Sequence, residues 1–349
     1  MTDSIDIRAA VLHVNNETIE DRKKLSNSIS RFLEGLDNFT RTTSLKVVSK
    51  RIVAAPILTY ESARLAIGLY EEAEANGINY VGLPILKTDP EKTSELLENY
   101  PRLFISTEYK PEDEGKIVET LRRITEKSHL QATRYAVSFG PLLQTPYFPA
   151  TRTIKEGVTL SLLYVEAYAQ SRLPELKRLL ENLQANAASS WPNFIGTDFS
   201  LSPWMERSVA SLVERISGVM FTLPGTIAAI RRINRDLEDL SRSLRSTGFN
   251  ELMLPLAEDN RLKELARLGQ LRLSHLINYA SYCVAGLDMV VIPDSTENTV
   301  LEGILRDLWE IHLLKKKTIG MRIVLAPNQE GEEIDLGMFG KTPVISPLT

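Results

Sequence analysis

The first 140 residues alternate strand-like and helix-like segments at short, regular intervals, and that rhythm leaves few folds open. Apolar runs at 5–14, 45–54, 80–86, 103–106 and 134–139 read as strands. Between them, 18–36, 62–75, a segment opened by Asp89-Pro90, and 112–128 carry apolar residues at helical spacing. In the first of these, Ile19, Leu25, Ile29, Phe32, Leu33 and Leu36 share one face. Asn76-Gly77 closes the second, and Pro111 suits the first turn of the last. Strands separated by such crossovers pair in parallel and bury both faces. These residues therefore read as one five-stranded half of an α/β layer.

Residues 140–153, GPLLQTPYFPATRT, interrupt the rhythm: three prolines and two aromatics exclude a continuing helix. The stretch reads as a rigid, partly apolar loop, either a crossover between halves or a functional loop packed into a cavity. Beyond it the chain is more helical. Helices are expected at 157–170, 174–188, 203–218, 226–244, 260–268, 271–282 and 297–314. Strands are expected at 194–199, 252–256, 289–292 and 321–325, followed by an irregular tail. With no internal repeat, low-complexity segment or linker, residues 1–349 read as a single domain. Its first half ends near 140, the crossover runs over about 140–155, and the second half over about 156–349.

The balance of charge excludes several functions. Forty-one basic residues face 45 acidic ones, and the isoelectric point is near 5.8, which argues against nucleic-acid binding. Arg231-Arg232 and Lys315-Lys316-Lys317 read as solvated helix faces. One cysteine rules out an intrachain disulfide or a multi-thiolate metal site and leaves a free thiol suited to a reducing cytoplasm. No signal peptide is read at the start, and no window reaches the ~18 apolar residues of a membrane span. A cytoplasmic, membrane-free protein is expected.

Chemistry is sought where strands end. The run 276–294, LINYASYCVAGLDMVVIPD, holds the cysteine, a Gly-Leu-Asp turn and a strand apolar on both faces. FIGTDFSLSPW places Asp198 and Ser200 at a strand–helix junction, ELMLPLAED places Glu258 and Asp259 after another strand, and Asp288 and Asp294 bracket the central one. If the strand ends converge, Asp198, Glu258, Asp259 and Asp288 suit a magnesium or manganese ion, or Asp198, Asp259 and Asp288 divide acid and base work. The alternative for Asp198 and Asp259 is helix capping, and for Asp288 a turn bonding its own backbone. Cys283 is a candidate nucleophile, although it sits at the carboxyl pole of its helix, where a thiolate gains nothing; the other reading is a buried, inert thiol. The four histidines lack metal-ligand spacing, and no Walker loop or glycine-rich dinucleotide fingerprint occurs.

FIGTDFSLSPW, GFNELMLPLAEDNRL and YASYCVAGLDMVVIPD, with a Pro-Tyr-Phe-Pro loop upstream and Arg322 and Pro327 downstream, resemble the domain-of-unknown-function family 711. The likeness is best from Pro146 to Pro327. The family's usual Cys-Gly-x-Gly-Leu-Asp is Cys283-Val284-Ala285-Gly286-Leu287-Asp288 here, and its Pro-Gly-Asp is Pro293-Asp294. The resemblance implies a ten-stranded α/β barrel of the pyruvate formate-lyase and ribonucleotide reductase type, built from two five-stranded halves with extra helices in the second. It also puts Glu166, Asp198, Ser200, Glu258, Asp259, Cys283 and Asp288 at the family's motif positions. No glycyl radical is expected, because 140–153 lacks a cysteine and the tail lacks the radical motif. A non-radical enzyme acting on a small polar molecule follows, with Glu166, Ser200, Tyr147, Phe148 and Arg322 contacting substrate. The rival is a non-catalytic binding or assembly protein. The apolar helix faces of 211–233 suggest a homo-oligomer.

Overall fold

Each strand expected in the first half forms: β1 (Asp6–His13), β2 (Lys50–Val53), β3 (Tyr80–Ile85), β4 (Leu103–Glu108) and β5 (Tyr135–Phe139). Neighbours pair in parallel in sequence order. The computed structural model describes residues 5–57 and 63–347. The crossovers include α2 (Arg22–Thr43), α3 (Ala63–Ala75), α4 (Pro90–Asn99) and α5 (Glu114–Lys127). The helix expected at 18–36 is two helices, α1 (Asn16–Glu20) and α2, because the Asp21 carboxylate accepts from Lys23 N and Lys24 N and caps a new start. Ser62, the expected start of α3, lies outside the described residues.

The second half departs from expectation at its first element. Residues 157–170 are not one helix: Gly157–Leu163 forms strand β6, and only Val165–Gln170 is helical, as α7. GVTLSLL alternates Val158, Leu160 and Leu162 with Thr159, Ser161 and Leu163, and all are buried. Such a two-residue period suits a strand with both faces covered, and the reading as helix weighted the apolar content over the period. The remaining elements are α8 (Leu173–Ser190), β7 (Phe194–Asp198), α9 (Val209–Ser217), α10 (Thr226–Ser243), β8 (Met253–Pro255), α11 (Asn260–Arg267), α12 (Leu273–Ala280), β9 (Ala285–Pro293), α13 (Asn298–Lys315) and β10 (Ile319–Ala326). The tail, expected to be irregular, carries a small hairpin, β11 (Glu333–Asp335) with β12 (Lys341–Pro343).

Ten strands form one mostly parallel sheet in the order β7-β6-β1-β2-β3-β4-β5-β10-β9-β8. The two halves meet antiparallel at two seams, β1 against β6 and β5 against β10. Hydrogen bonds do not close the ladder, but isolated parallel bridges, Thr197 with Ser246 and Leu201 with Leu252, tie β7 and its exit to the segment entering β8. The helices cover the sheet with an apolar layer that runs from Ile7 through Leu160 and Ile230 to Val324. The apolar faces of α9 and α10 are spent here too: Leu212, Val213, Ile230, Ile233 and Leu237 are buried within this chain. Among the described residues no helix is long and apolar enough to cross a membrane.

A histidine marks the first seam. His13 at the end of β1 is fully buried; its Nε2 lies 2.8 Å from the Thr159 hydroxyl of β6, and its Nδ1 lies 3.4 Å from that of Thr153. Burial pushes the imidazole down to about 3, only partly countered by a backbone hydrogen bond at Arg152. Because the native value lies below the unfolded one, the folded state binds fewer protons. Stability is then complete above the unfolded value near 6.5 and is lost as pH falls toward the native value. Between pH 6.5 and 5 this amounts to about 1.5 kcal/mol. Urea unfolding should show that decline, and His13→Gln should remove most of it in the same interval.

Candidate functional site

The proline-rich connection between β5 and β6 runs through the middle of the sheet's contacts. Thr145 Oγ1 donates to Asp198, the last residue of β7, at 2.7 Å. The Tyr147 hydroxyl lies 3.0 Å from the Leu162 carbonyl of β6, and Ser106 Oγ of β4 donates to the Pro149 carbonyl at 2.5 Å. Gly320 of β10 leaves room for the same proline, since a Cβ there would come within 2.1 Å of Pro149 Cγ. Strands far apart in the sheet order thus share one loop. Leu142, Tyr147 and Ala150 pack with Phe249, Met253 and Val284 as a separate apolar cluster.

Beside the loop lies a cluster of buried charges, and two irregularities in the ladder aim them. The pairing of β1 with β6 shifts between Ile7 and Ala9, leaving Arg8 as an extra residue. The pairing of β10 with β9 shifts between Met321 and Ile323, so Arg322 faces a stretch of β9 one residue longer, Asp288 and Met289. Met289 adopts φ +53°, the left-handed region that costs a side-chain-bearing residue about 1 kcal/mol. Bulges of this kind re-aim side chains. Arg8 donates to Glu258 and, at 2.9 Å, to the Pro203 carbonyl. Arg322 grips both oxygens of Asp288 at 2.5 and 2.7 Å and reaches Glu258 at 3.2 Å. Burial alone would raise Glu258, but Arg8 and Arg322 outweigh it and hold the carboxyl below its ordinary value. Burial raises Asp288, and Arg322 offsets only part of that.

Next to this cluster is a cavity of about 150 Å³. Its walls come from β1, β2, β3, β4, β6 and β10, the loop, and the segments after β7 and β8. Each of its three guanidiniums lies over a ring: Arg8 over Trp204 at 5.3 Å, Arg51 over Tyr80 at 5.7 Å and Arg322 over Phe148 at 5.4 Å. Phe104 packs edge-on against both Tyr80 and Phe148. Met338 and Phe339, from the turn between β11 and β12, complete the lining. Arg51 differs from the other two. Its Nε donates to the Ser49 hydroxyl at 3.0 Å and its Nη1 lies 3.4 Å from the Pro146 carbonyl, but no carboxylate among the described residues pairs with it. Burial and the nearby Arg8 push it down to about 10.

The sequence-derived candidates separate into two groups. Glu258, Arg322, Tyr147 and Phe148 line the cavity, and Asp288 braces Arg322 from behind. Asp198 and Asp259 are buried, but in networks of their own. Asp198 accepts from Thr145, from Ser200 N and Oγ, and from Phe249 N and Asn250 N. Gly248, at φ +75°, is required there, because a Cβ would come within 2.0 Å of Asp198 Oδ2. Asp259 accepts from Ser208 Oγ, Val209 N, Ala210 N, Arg261 N and Leu262 N, so one carboxylate caps both α9 and α11. Burial raises both carboxyls despite these bonds. Ser200 serves Asp198, and Glu166 sits on α7 in a half-exposed pair with Arg215 at 3.6 Å. Cys283 is fully buried, and burial pushes its thiol up. Among the described residues no group of three or more His, Cys, Asp or Glu side chains is placed to hold a metal ion.

Sequence reasoning missed Arg8 and Arg51. A signal existed for Arg8, an arginine inside the largely apolar strand DIRAAVLH, where a charge needs a buried reason; the half-basic KRIV gave none for Arg51. Glu251 was also missed. It is buried between Lys315 at 2.6 Å and Lys317 at 2.7 Å, bracing the end of α13. Removing the shared carboxylate should expose its importance. Glu258→Gln leaves Arg8 and Arg322 short of a counter-charge and should cost about 3–5 kcal/mol in urea unfolding at pH 7. Glu119→Gln, which removes a half-exposed partner of Arg123, should cost under about 1 kcal/mol.

Comparison with known proteins places these residues in a wider group. The model of a family described as "Uncharacterised ACR (DUF711)" matches residues 149–337, a stretch that holds Glu258, Asp288 and Arg322. A "UPF0210 protein" of Lacticaseibacillus casei is 23% identical over 68% of this chain and 54% of its own length. One from Oenococcus oeni is 22% identical over 93% of this chain and 84% of its own. One from Methanococcoides burtonii is 32% identical over 42% of this chain and 34% of its own. The chain spans about half the length of the first of these relatives. With more than half of its residues matched by the family model, the chain belongs to the uncharacterised DUF711 family.

Proposed function

We propose that this chain binds a small anionic molecule in the arginine- and aromatic-lined cavity, with the ten strands closed around it as a barrel of the pyruvate formate-lyase and ribonucleotide reductase type. Closure is supported by the bridges that tie β7 to the segment entering β8, and by a cavity walled from both halves of the sheet. The loop at 140–153 then occupies the barrel interior and forms one wall of the site.

The observation that carries the anion reading is Arg51. Arg51 is half-buried in the cavity wall and has no carboxylate among the described residues; a guanidinium partly withdrawn from water without a counter-ion is costly, and such groups collect where a ligand completes them. Arg8 and Arg322 are already matched by Glu258 and Asp288, so the free donor capacity of the cavity belongs to Arg51. Any turnover falls to the cavity's own groups. Glu258, held ionised by two arginines, suits electrostatic work better than donating a proton. The reading of Asp198, Glu258, Asp259 and Asp288 as ligands of magnesium or manganese has less support, because their oxygens are taken by backbone amides, hydroxyls and guanidiniums. The same holds for acid–base work by Asp198, Asp259 and Cys283, none of which lines the cavity.

Thermal unfolding in a panel of small carboxylates, phosphates and sulfates, beside amines of the same size, tests the reading. Anions should raise the melting temperature and amines should not. Arg51→Met should lose the response while melting, unliganded, no lower than the parent, since it removes a half-buried charge that has no carboxylate among the described residues. A panel in which no anion shifts the parent protein would end the proposal.

A further inference from the structure

The cavity's charge, volume and walls together narrow the ligand's class, and the narrowing rests on the anion-site reading above. Three guanidiniums, Arg8, Arg51 and Arg322, meet two carboxylates, Glu258 and Asp288. The cluster therefore lacks one negative charge. A singly charged ligand neutralises it, whereas a doubly charged one would leave an uncompensated buried anion, which is costly.

The donors point the same way. Arg51 offers a planar fork, the geometry that matches a carboxylate with two parallel hydrogen bonds. Phosphate sites more often add backbone N–H groups at the start of a helix. Among the described residues that line this cavity, none belongs to the first turn of an α-helix.

Size and shape set the rest. A space of about 150 Å³ compares with an engineered cavity of roughly that volume that accepts benzene. Tyr80, Phe104, Phe148 and Trp204 line it, and Gly82 adds no side chain to the β3 wall. Aromatic walls of this kind fit a planar body by offset stacking and edge contacts.

We infer that the ligand is a monocarboxylate carrying a compact, planar, apolar body about the size of one six-membered ring, its carboxylate on Arg51 and its ring among Tyr80, Phe104 and Phe148. Arg51 is then the residue that selects charge, and the aromatic walls select shape.

Isothermal titration of the whole chain with sodium benzoate, benzamide, phenyl phosphate and inorganic phosphate, at pH 7 and low ionic strength, tests this. Benzoate should bind one to one. Benzamide, the same shape without the charge, and both phosphates should bind at least tenfold more weakly. Arg51→Lys, which keeps a charge but not the fork, and Arg51→Met should each weaken benzoate at least tenfold. If phenyl phosphate or inorganic phosphate binds better than benzoate and needs Arg51, the monocarboxylate class is wrong and the anion site stands. If benzamide equals benzoate, or benzoate binds the Arg51 variants unchanged, the inference fails at its charge-selecting residue. If none of the four probes binds, the monocarboxylate inference fails, and the anion site then stands or falls on the wider thermal panel. The comparison of benzoate with benzamide uses the unaltered protein and holds even where a variant does not fold.

Discussion

One carboxylate, Glu258, holds together arginines from two halves of the chain. Arg8 enters from the first strand and Arg322 from the last of the sheet, and both end on the same side chain after β8. In a low-dielectric interior neither guanidinium is tolerable alone, and each is made tolerable by the other's partner. The arrangement ties strands β1 and β10 and the start of α11 to a common point at which backbone hydrogen bonds do not join them. Asp288 completes it by gripping the Arg322 fork and fixing the plane of that guanidinium beside the cavity. Such a network contributes less to net stability than an apolar core of the same volume would. What it supplies is a fixed polar wall beside an open space.

Arg51 stands outside that balance. The buried carboxylates of the described residues are matched: Asp198 and Asp259 by five donors each, Glu251 by two lysines, Glu258 by two arginines. Among the described residues Arg51 has only a hydroxyl and a distant carbonyl as hydrogen-bond partners. Its stacking on Tyr80 recovers about 0.5–1 kcal/mol, far less than a counter-ion would. Sites that bind keep part of their polar capacity unmet until the ligand arrives, and stability is the quantity given up.

Much of the architecture was legible in the residues. The alternation through residue 140 fixed five parallel strands because both determinants, helical period and strand-like apolar runs, agreed with tertiary structure. The break at 140–153 was visible because proline excludes helix whatever surrounds it. β6 was misread: GVTLSLL is as apolar as a buried helix, and the two-residue period that its pairing with β1 bears out was given less weight than that content. Of the site, Glu258, Asp288, Arg322, Tyr147 and Phe148 were found from strand-end logic and motif resemblance. Asp198 and Asp259 were found for the same reason but serve as hubs for backbone amides, since a strand end followed by a helix start needs a cap as often as it needs chemistry. Arg8 and Arg51 were passed over because attention went to acidic residues at strand ends, whereas these are basic residues within strands.

The two bulges explain why no periodic reading could have found the cluster. In an unbroken ladder Arg8 would share the face of Ala10 and Leu12, which pack in the apolar layer under the helices. The register shift between Ile7 and Ala9 breaks that alternation and sends Arg8 toward Glu258 instead. On β9 the extra residue does the same for Asp288 relative to Val290 and Ile292, with Met289 taking the strained conformation that the insertion demands. A two-residue period carries no information about where it is interrupted, because the interruption is paid for by contacts on other strands. Strain at Met289 persists only because Arg322 and Asp288 are locked to each other across it. The charged cluster and the irregular backbone are therefore a single feature. Each accounts for the other, and the cavity lies where they coincide.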